Sequence, residues 1–290
     1  MLNALTFDIE DYFQVEAFKR YIAFDEWPGY QSRVVQNTRK ITDILDERNV
    51  KATFFILGWV AERFPEMVRQ ITEDGHEIAT HGYAHDMVYT QTQEVFAQDL
   101  TKSIQILEQI SGTKVIGYRA PTYSIIEEAF WAFDELIRQD LRYDSSIFPI
   151  VHDRYGVPDS DRFPHVINRD SVGTLHEFPL STLRLWKWNF PIAGGGYLRL
   201  FPYWMVKSGV ASLNRQQKPA IIYLHPWELD PEQPKIPNIP AKTRFRHYVN
   251  LHKTAGKLRK LTQDFDFGPI CKVLELCRHC RQTPEKENSA

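Results

Sequence analysis

The chain has 290 residues, of which 43% are hydrophobic, 13% aromatic and 25% charged. This composition supplies enough apolar side chains for a large core and excludes disordered, collagen-like and coiled-coil proteins. The 35 basic and 37 acidic residues give a net charge of −2 without a long run of one sign, which argues against nucleic acid binding as the main function.

The predicted secondary structure alternates between strands and helices. In chain order, strand-like runs cover about 5–7, 52–56, 77–79, 115–118 and 220–224, and helical patterns cover 34–45, 61–71, 96–107 and 202–213. A further strand and helix are predicted within 125–138. Regular alternation of this kind favours a parallel sheet covered by helices, so we predict an α/β fold.

The stretch between Val151 and Pro202 interrupts the alternation. It contains four prolines and the run Gly194-Gly195-Gly196. Such residues break helices and strands, so we predict an irregular insertion that contains a β-hairpin, not a separate domain. The polar residues from 283 to 290 are predicted to form a disordered tail.

Reactive side chains follow several of the predicted strands. The C-terminal ends of parallel strands meet at one edge, where the catalytic groups of barrel enzymes collect. Asp8, Glu10 and Asp11 follow the first strand. Carboxylates this close to one another repel, which raises the pKa of at least one of them unless a cation binds between them. The alternative interpretation is a solvated turn whose acidic residues cap a helix.

His81 and His85 follow the third predicted strand and are four residues apart. This spacing places both imidazoles on one side of a helical turn or tight loop. Two neutral imidazoles and a carboxylate leave open positions on a divalent metal ion, as hydrolytic chemistry requires. Two surface histidines at this spacing by chance are the alternative.

Arg119 and His225 follow two further strands. Arg119 suits a charge-assisted contact with a carboxylate, and Pro121 stiffens the turn, so that a following backbone N–H can face a developing oxyanion. His225 ends the apolar strand at 221–224 and suits general acid or base catalysis. Taken alone, a surface arginine and a buried core histidine are the alternatives.

Together and in this order, the motifs resemble the polysaccharide deacetylase family, the NodB-homology carbohydrate esterases. They are Thr6-Phe7-Asp8, Gly75-His76-Glu77-Ile78 leading to His81 and His85, Arg119-x-Pro121, and the strand ending in His225. Residues 3–15 are most similar to the branch associated with exosortase (PEP-CTERM) exopolysaccharide clusters, which carries its own C-terminal extension. The resemblance implies a distorted (β/α) barrel of about seven parallel strands.

The resemblance also implies roles for individual residues of these motifs. Asp8 would be the general base, Arg119 its partner and His225 the general acid. His81 and His85 would bind the metal ion together with a carboxylate.

The identity of that carboxylate is open, because many relatives have two adjacent aspartates and this chain has Asp8-Ile9-Glu10-Asp11. Strand alternation puts Asp8 and Glu10 on one face, which favours Glu10 as the third ligand. A turn directly after Asp8 would favour Asp11 instead.

Four residues are candidates for substrate binding. The resemblance places an oxyanion-binding backbone N–H near Thr122, and Ile222 stands where relatives often have a leucine that lines the acetyl pocket. Tyr123 and Trp227 are candidates for stacking on a sugar, although large aromatic side chains more often belong to the core.

The predicted function is that of a metal-dependent hydrolase that removes N-acetyl groups from an amino sugar in exopolysaccharide biosynthesis. The expected ion is Zn²⁺, with Co²⁺, Ni²⁺ or Mn²⁺ as alternatives. The substrate would be an N-acetylated saccharide, either a polymer or a lipid-linked precursor. The rival hypotheses are a metal-independent C–N amide hydrolase of the same fold and a catalytically inactive carbohydrate-binding protein.

We predict one catalytic domain over residues 1–282, with a core at 3–228 and a helical extension at 229–282. No apolar run reaches the ~18 residues of a membrane span, and the first residues lack the pattern of a signal peptide. We therefore expect a cytoplasmic protein, with peripheral membrane association and the oligomeric state left open. The cysteines, Cys271, Cys277 and Cys280, do not form a full disulfide set.

Overall fold

The structure is a computed structural model that describes residues 1–152, 154–192 and 194–277. The predicted tail at 283–290 and Cys280 lie outside the described residues. The strands are β1 (Asn3–Ile9), β2 (Thr53–Ile56), β3 (Glu77–Thr80), β4 (Gly117–Tyr118), β5 (Tyr143–Asp144), β6 (His165–Arg169), β7 (Gly173–Glu177), β8 (Thr182–Leu185), β9 (Trp188–Pro191), β10 (Ile221–Leu224) and β11 (Phe267–Gly268).

Helices connect most of these strands. They are α1 (Val34–Asp46), α2 (Gly58–Arg63), α3 (Pro65–Glu73), α4 (Gln93–Ser111), α5 (Ala132–Arg138), α6 (Gly195–Leu200), α7 (Tyr203–Arg215), α8 (Ala241–Tyr248), α9 (Leu251–Asp264) and α10 (Ile270–Val273). Short 3₁₀ turns include Pro121–Tyr123 and Pro226–Leu229. Among the described helices, none combines the length and the apolar character that crossing a membrane requires.

The main sheet has the strand order β10-β1-β2-β3-β4-β5-β7-β6, and β11 pairs with β1. The seven strands from β10 to β7 in this order run parallel to their neighbours. β6 is antiparallel to β7. This arrangement confirms the predicted α/β fold with about seven parallel strands.

The two faces of β1 belong to different parts of the core. Leu5, Phe7 and Ile9 pack in the larger apolar cluster together with residues of the surrounding helices, whereas Ala4 packs in a smaller cluster on the inner face. Because side chains alternate along a strand, Thr6 and Asp8 share the inner face with Ala4. Every residue of β1 is buried, as expected for a parallel strand covered on both sides.

The helix predicted over 61–71 is two helices, α2 and α3. Phe64 separates them with a non-helical backbone (φ −129°, ψ 57°), and Pro65 is the first residue of α3. The ring of a proline disfavours the α conformation in the preceding residue, so the apolar periodicity continues while the helix axis breaks. The spacing of apolar residues alone did not predict this break.

The region between 151 and 202 contains two hairpins, β6–β7 and β8–β9. β6–β7 extends the main sheet, whereas β8–β9 forms a separate two-stranded sheet. The predicted helical extension contains α8, α9 and α10, but also β11, which pairs with Asn3 and Ala4 of β1. The extension therefore contributes to the same sheet, while the division of residues 1–282 into core and extension stays a prediction.

Candidate active site

Glu10, His81 and His85 form a buried cluster at the C-terminal ends of β1 and β3. Each offers one ligand atom, and these atoms lie within 4.8 Å of one another. His85 Nε2 lies 2.8 Å from Glu10 Oε2, a contact that requires a shared proton or a cation. Two imidazole nitrogens and one carboxylate oxygen are a ligand set that suits a divalent ion such as zinc, so these residues fit the implied metal.

The loop after β3 directs both histidines toward Glu10. His81 Nδ1 lies 2.8 Å from the backbone oxygen of Arg119, and a proton on Nδ1 leaves Nε2 available to a metal ion. Gly82 (φ 74°) and His85 (φ 57°) adopt left-handed conformations. A side chain at Gly82 would also approach Asp99 Oδ2 to 2.9 Å, so glycine permits the tight turn between the two histidines.

Electrostatics favour the protonation states that bind metal. Burial raises the pKa of Glu10, but His85, His225 and His81 outweigh it and lower the pKa to about 2. Burial lowers the pKa of His81 to about 4, against the opposing effect of Asp8 and Glu10. Near neutral pH, Glu10 is therefore a carboxylate and His81 a neutral imidazole, which are the forms that act as ligands.

Asp11, the alternative carboxylate, lies outside this cluster. Its Oδ2 accepts hydrogen bonds from Ser32 Oγ (2.6 Å) and from the backbone N–H groups of Arg33 (2.8 Å) and Val34 (3.1 Å). Asp11 thus satisfies N–H groups at the start of α1. Of the two carboxylates left open by the sequence, the structure brings Glu10 to the histidines.

Asp8 lies beside the cluster and pairs with a fully buried arginine. Arg119 Nη1 donates to Asp8 Oδ1 (2.7 Å) and to Thr6 Oγ1 (2.8 Å), and its remaining nitrogens donate to Ser145. Burial lowers the pKa of Arg119, but the negative charge of Asp8 reverses the effect and leaves it raised. The guanidinium therefore stays charged, and it orients Asp8 Oδ1.

His225 faces both carboxylates from the end of β10. Its Nε2 lies 3.8 Å from Asp8 Oδ2 and 3.7 Å from Glu10 Oε1, and its Nδ1 lies 3.1 Å from Glu228 Oε2. Burial lowers the pKa of His225, but Glu228, Glu10 and Asp8 outweigh it and raise the pKa to about 9. The imidazole therefore carries a proton that points toward the space beside Asp8 and Glu10.

Glu228 is itself held by a buried arginine. Arg199 Nε donates to Glu228 Oε1 at 2.7 Å, and both side chains are almost fully buried. Sequence analysis did not single out either residue. The i, i+3 spacing of His225, which precedes the turn Pro226–Leu229, and Glu228 within it was a usable signal. Arg199 gave none, because it lies 29 residues away from Glu228.

Trp227 and Tyr123 reach the site, but Ile222 does not. Trp227 Nε1 donates to Glu10 Oε1 (3.0 Å), and its ring stacks on His225 with centroids 5.2 Å apart. Tyr123 packs edge-on against Tyr223 at 5.1 Å. Ile222 pairs with Leu5 and packs in the larger core cluster, on the opposite face of β10 from Tyr223 and His225.

The predicted role of Ile222 in an acetyl pocket therefore conflicts with its position. Tyr223, paired with Thr6 on the inner face, is the residue of β10 that lies next to the site, and its ring centroid is 5.8 Å from that of His225. Counting back by two from His225 would have identified it, because strand side chains alternate.

Thr122 lies in the turn after β4, where the predicted oxyanion-binding N–H was expected. Thr122 (φ 57°) and Tyr123 (φ 54°) both have left-handed backbones. The Tyr123 N–H donates to the Ala120 oxygen (3.0 Å), which commits it to the turn. Two consecutive non-glycine residues in this conformation mark the turn as strained, a feature common at functional sites.

Comparison with known families divides the chain into two parts. Residues 14–136 match the family model described as polysaccharide deacetylase, and residues 145–275 match a domain of unknown function, DUF3473. The metal cluster and Arg119 thus lie in or next to the first part, and His225, Glu228 and Arg199 lie in the second.

One curated relative is the peptidoglycan-N-acetylglucosamine deacetylase of Bacillus cereus, which is 34% identical over 115 residues. The match covers 39% of this chain and 40% of that protein. The chain spans about a third to two fifths of the length of the first curated relatives that it matches.

Solved structures resemble the whole chain more broadly but at low sequence identity. A Mycobacterium smegmatis protein assigned as a polysaccharide deacetylase has a TM-score of 0.64 at 21% identity, over 97% of this chain and 93% of that one. Puue allantoinase has a TM-score of 0.60 at 14% identity, over 95% and 88% of the two chains. These likenesses establish the fold.

Proposed function

We propose that this chain is a metal-dependent hydrolase of the polysaccharide deacetylase family, whose model matches residues 14–136, and that it removes N-acetyl groups from an amino sugar. The observation that carries the proposal is the buried cluster of Glu10, His81 and His85 with Asp8 and His225 beside it. The named activity of the Bacillus cereus relative supports N-acetylglucosamine within a glycan as the substrate class.

Glu10, His81 and His85 would hold the ion, and we propose Zn²⁺, with Co²⁺, Ni²⁺ or Mn²⁺ as alternatives. A divalent ion bound there would polarise the acetamide carbonyl and lower the pKa of a water molecule. Trp227 supports the ligand set, because its indole N–H holds Glu10 Oε1 and leaves Oε2 toward His85.

Asp8 would act as the general base. Arg119 occupies Oδ1, so Oδ2 is the oxygen that can accept the proton of the attacking water. Arg119 is buried and lies over the Phe55 ring at 4.1 Å, which fixes the guanidinium and therefore Asp8. A base held in one orientation loses little entropy when the proton is transferred.

His225 would act as the general acid. An amine is a poor leaving group until it is protonated, so a proton must reach the nitrogen as the C–N bond breaks. Nδ1 of His225 faces Glu228, which leaves Nε2 to donate that proton. Nε2 is within 4 Å of both Asp8 and Glu10, so the acid lies beside the base and the proposed ligand Glu10.

Tyr123, Thr122 and Trp227 would contact the sugar or its acetyl group, with the turn at Thr122 supplying the N–H for the oxyanion. Tyr223 would take the position next to the acetyl group that Ile222 cannot reach. The place of the reaction in exopolysaccharide biosynthesis, and membership of the exosortase-associated branch, rest on the similarity of residues 3–15 and stay predictions.

The test combines metal content with acetate release from N-acetylglucosamine oligomers. The proposal predicts about one divalent ion per chain in the wild type, and loss of both metal and acetate release in His81→Ala/His85→Ala. His252→Ala, an exposed histidine of α9, is the matched control and should retain both.

Two outcomes would contradict the proposal. Acetate release that persists in the metal-free double variant would favour the metal-independent amide hydrolase. Tight glycan binding without metal uptake or acetate release, under loading with each of the four ions, would favour the inactive carbohydrate-binding protein.

A further inference from the structure

The hairpin β8–β9 exposes large apolar side chains at its tip. Trp186 is 97% exposed, Trp188 71% and Leu185 53%. A two-residue turn, Trp186-Lys187, joins the strands, whose last pair is Leu185 and Trp188. In the described residues, every tryptophan that counts as exposed lies either on this tip or at Trp204 of α7.

Neither backbone preference nor packing explains Trp186. Its φ is +58°, and turns of this kind in two-residue hairpins strongly favour asparagine or glycine. A tryptophan there accepts backbone strain and gains almost no burial within the chain. The residue is therefore better explained by a contact outside the chain.

The base of the hairpin is well fixed, so the tip projects from a firm support. The Phe190 ring stacks on Phe201 at 5.2 Å, and Asn189 Nδ2 donates to the Pro149 oxygen at 2.6 Å. Leu183 and Ile192 both approach the position where a side chain at Gly209 of α7 would lie. Residues at the base are therefore already ordered, and binding of the tip to a partner costs little conformational entropy there.

The surrounding segment is strongly basic. Residues 178–227 contain no aspartate or glutamate and six basic residues, so the remainder of the chain carries −2 − 6 = −8. Lys207 and Arg199 pair with Asp264 and Glu228.

Arg184 and Lys187 flank the tip, and Arg162 lies at the base, where it donates to the Thr182 oxygen. Burial and the positive charge of Arg184 both lower the pKa of Arg162. Within the described residues, no carboxylate lies at salt-bridge distance from these three cations.

We infer that the β8–β9 hairpin docks this protein onto an anionic lipid bilayer. Indole rings favour the membrane–water interface, and basic residues beside them are attracted to anionic headgroups. A fluid surface accepts a protruding tip of three side chains, whereas a stable protein partner requires roughly 800 Å² on each side.

A glycan is a poorer match for this tip. The deacetylated product would carry ammonium groups, which Arg162, Arg184 and Lys187 repel. Exposed aromatic rings that stack on sugars also need a flat or concave platform, and the two indoles here sit at the end of a two-residue turn.

The test measures co-sedimentation with vesicles of phosphatidylcholine alone and of phosphatidylcholine with phosphatidylglycerol. The wild type should bind the anionic vesicles, with binding weakened by salt. Trp186→Ala/Trp188→Ala should lose about tenfold or more in partition coefficient, and Arg184→Gln/Lys187→Gln about thirtyfold, since each interfacial cation adds roughly 1 kcal/mol. Val35→Ala/Val95→Ala, which removes apolar side chains exposed by 43% and 51% on α1 and α4, should bind as the wild type does.

Acetate release from soluble oligomers should be unchanged in Trp186→Ala/Trp188→Ala, so this inference and the proposed function fail separately. Equal vesicle binding by the wild type and the tryptophan variant would overturn the inference. Wild-type binding that is equally strong with and without phosphatidylglycerol would also overturn it. The same holds if the wild type does not bind vesicles and the tryptophan variant loses retention on an immobilised glycan.

Discussion

The two proposed proton-transfer residues are held in different ways by buried arginines. On one side, Arg119 contacts Asp8 directly, and both come from the first half of the chain. On the other, Arg199 contacts Glu228, which in turn contacts His225, and all three come from the second half. One arginine therefore contacts the base directly, and the other orients the carboxylate that keeps an acid protonated.

The difference follows from charge. A carboxylate base needs one cation, because the cation stabilises the form that accepts the proton. An imidazole acid needs an anion, and a buried anion needs a cation of its own to offset desolvation. The acid side therefore requires one more buried residue than the base side.

Asp8→Asn tests the base side and should have the largest effect. The amide keeps the shape of the side chain but cannot take the proton, so kcat should fall by about 10²- to 10⁴-fold. Metal content should remain near that of the wild type, because the proposed ligands are Glu10, His81 and His85. Asp43→Asn, on the exposed face of α1, is the control.

Metal loss in Asp8→Asn would mean that Asp8 belongs to the ligand set. A kcat close to the wild-type value would remove Asp8 from the mechanism.

Glu228→Gln tests the acid side. The amide can still face His225 but no longer stabilises its charged form, so kcat should fall by about 10- to 100-fold with little change in KM. The alkaline limb of the pH–rate profile should also change, which loss of structure alone would not produce. Glu232→Gln, an exposed neighbour, should leave the profile unchanged.

An unaltered pH–rate profile in Glu228→Gln would show that Glu228 serves folding only. In that case only Arg119, through its contact with Asp8, would support a proton-transfer residue.

Trp227→Phe tests the contact between the acid side and the metal cluster. The ring can still stack on His225, but the hydrogen bond from Nε1 to Glu10 is lost. Loss of such an outer contact should weaken metal affinity by about tenfold, measured by competition with a chelator. Trp131→Phe, in a half-buried position packed on Phe96, is the matched control. Equal metal affinities in the two variants would contradict the proposal that the Trp227 hydrogen bond to Glu10 strengthens metal binding.

Glu177→Gln should have the smallest effect and concerns the support behind Arg119. Burial raises the pKa of Glu177 well above its usual value, with a further contribution from Asp144, whose own pKa burial also raises. Asp144 accepts from Ser146 Oγ (2.6 Å), which accepts from the Ala120 N–H (2.8 Å), next to Arg119.

Because these carboxyls hold protons more tightly in the folded state, they stabilise the fold at low pH. That contribution is lost as the pH rises above the usual glutamate pKa of 4.5 and through the raised values. The melting temperature of Glu177→Gln should therefore fall less steeply between pH 5 and 9 than that of the wild type. Glu73→Gln, exposed on α3, should keep the wild-type slope, and a parallel slope in Glu177→Gln would contradict a raised pKa at Glu177.

Local patterns in the sequence were enough to predict the α/β fold and the strand ends that carry the site. Period-two and helical spacing identify elements because each element buries one face or both. The spacing of His81 and His85 predicted that the two imidazoles lie close together, and a single tight turn does join them. These features depend on residues that are near one another in the chain.

Tertiary contacts decided what the local patterns left open. Asp11 is drawn away from the cluster by Ser32, Arg33 and Val34, more than 20 residues ahead, which leaves Glu10 with the histidines. Arg199 reaches Glu228 across 29 residues.

The face of β10 that meets the site was also decided by pairing with β1, which places Tyr223 beside Thr6 and turns Ile222 into the helical core. A buried carboxylate or arginine must find a partner, but the sequence does not say which of several distant groups supplies it. Short-range periodicity thus determined the elements, and the pairing of buried charges over long range determined the active site.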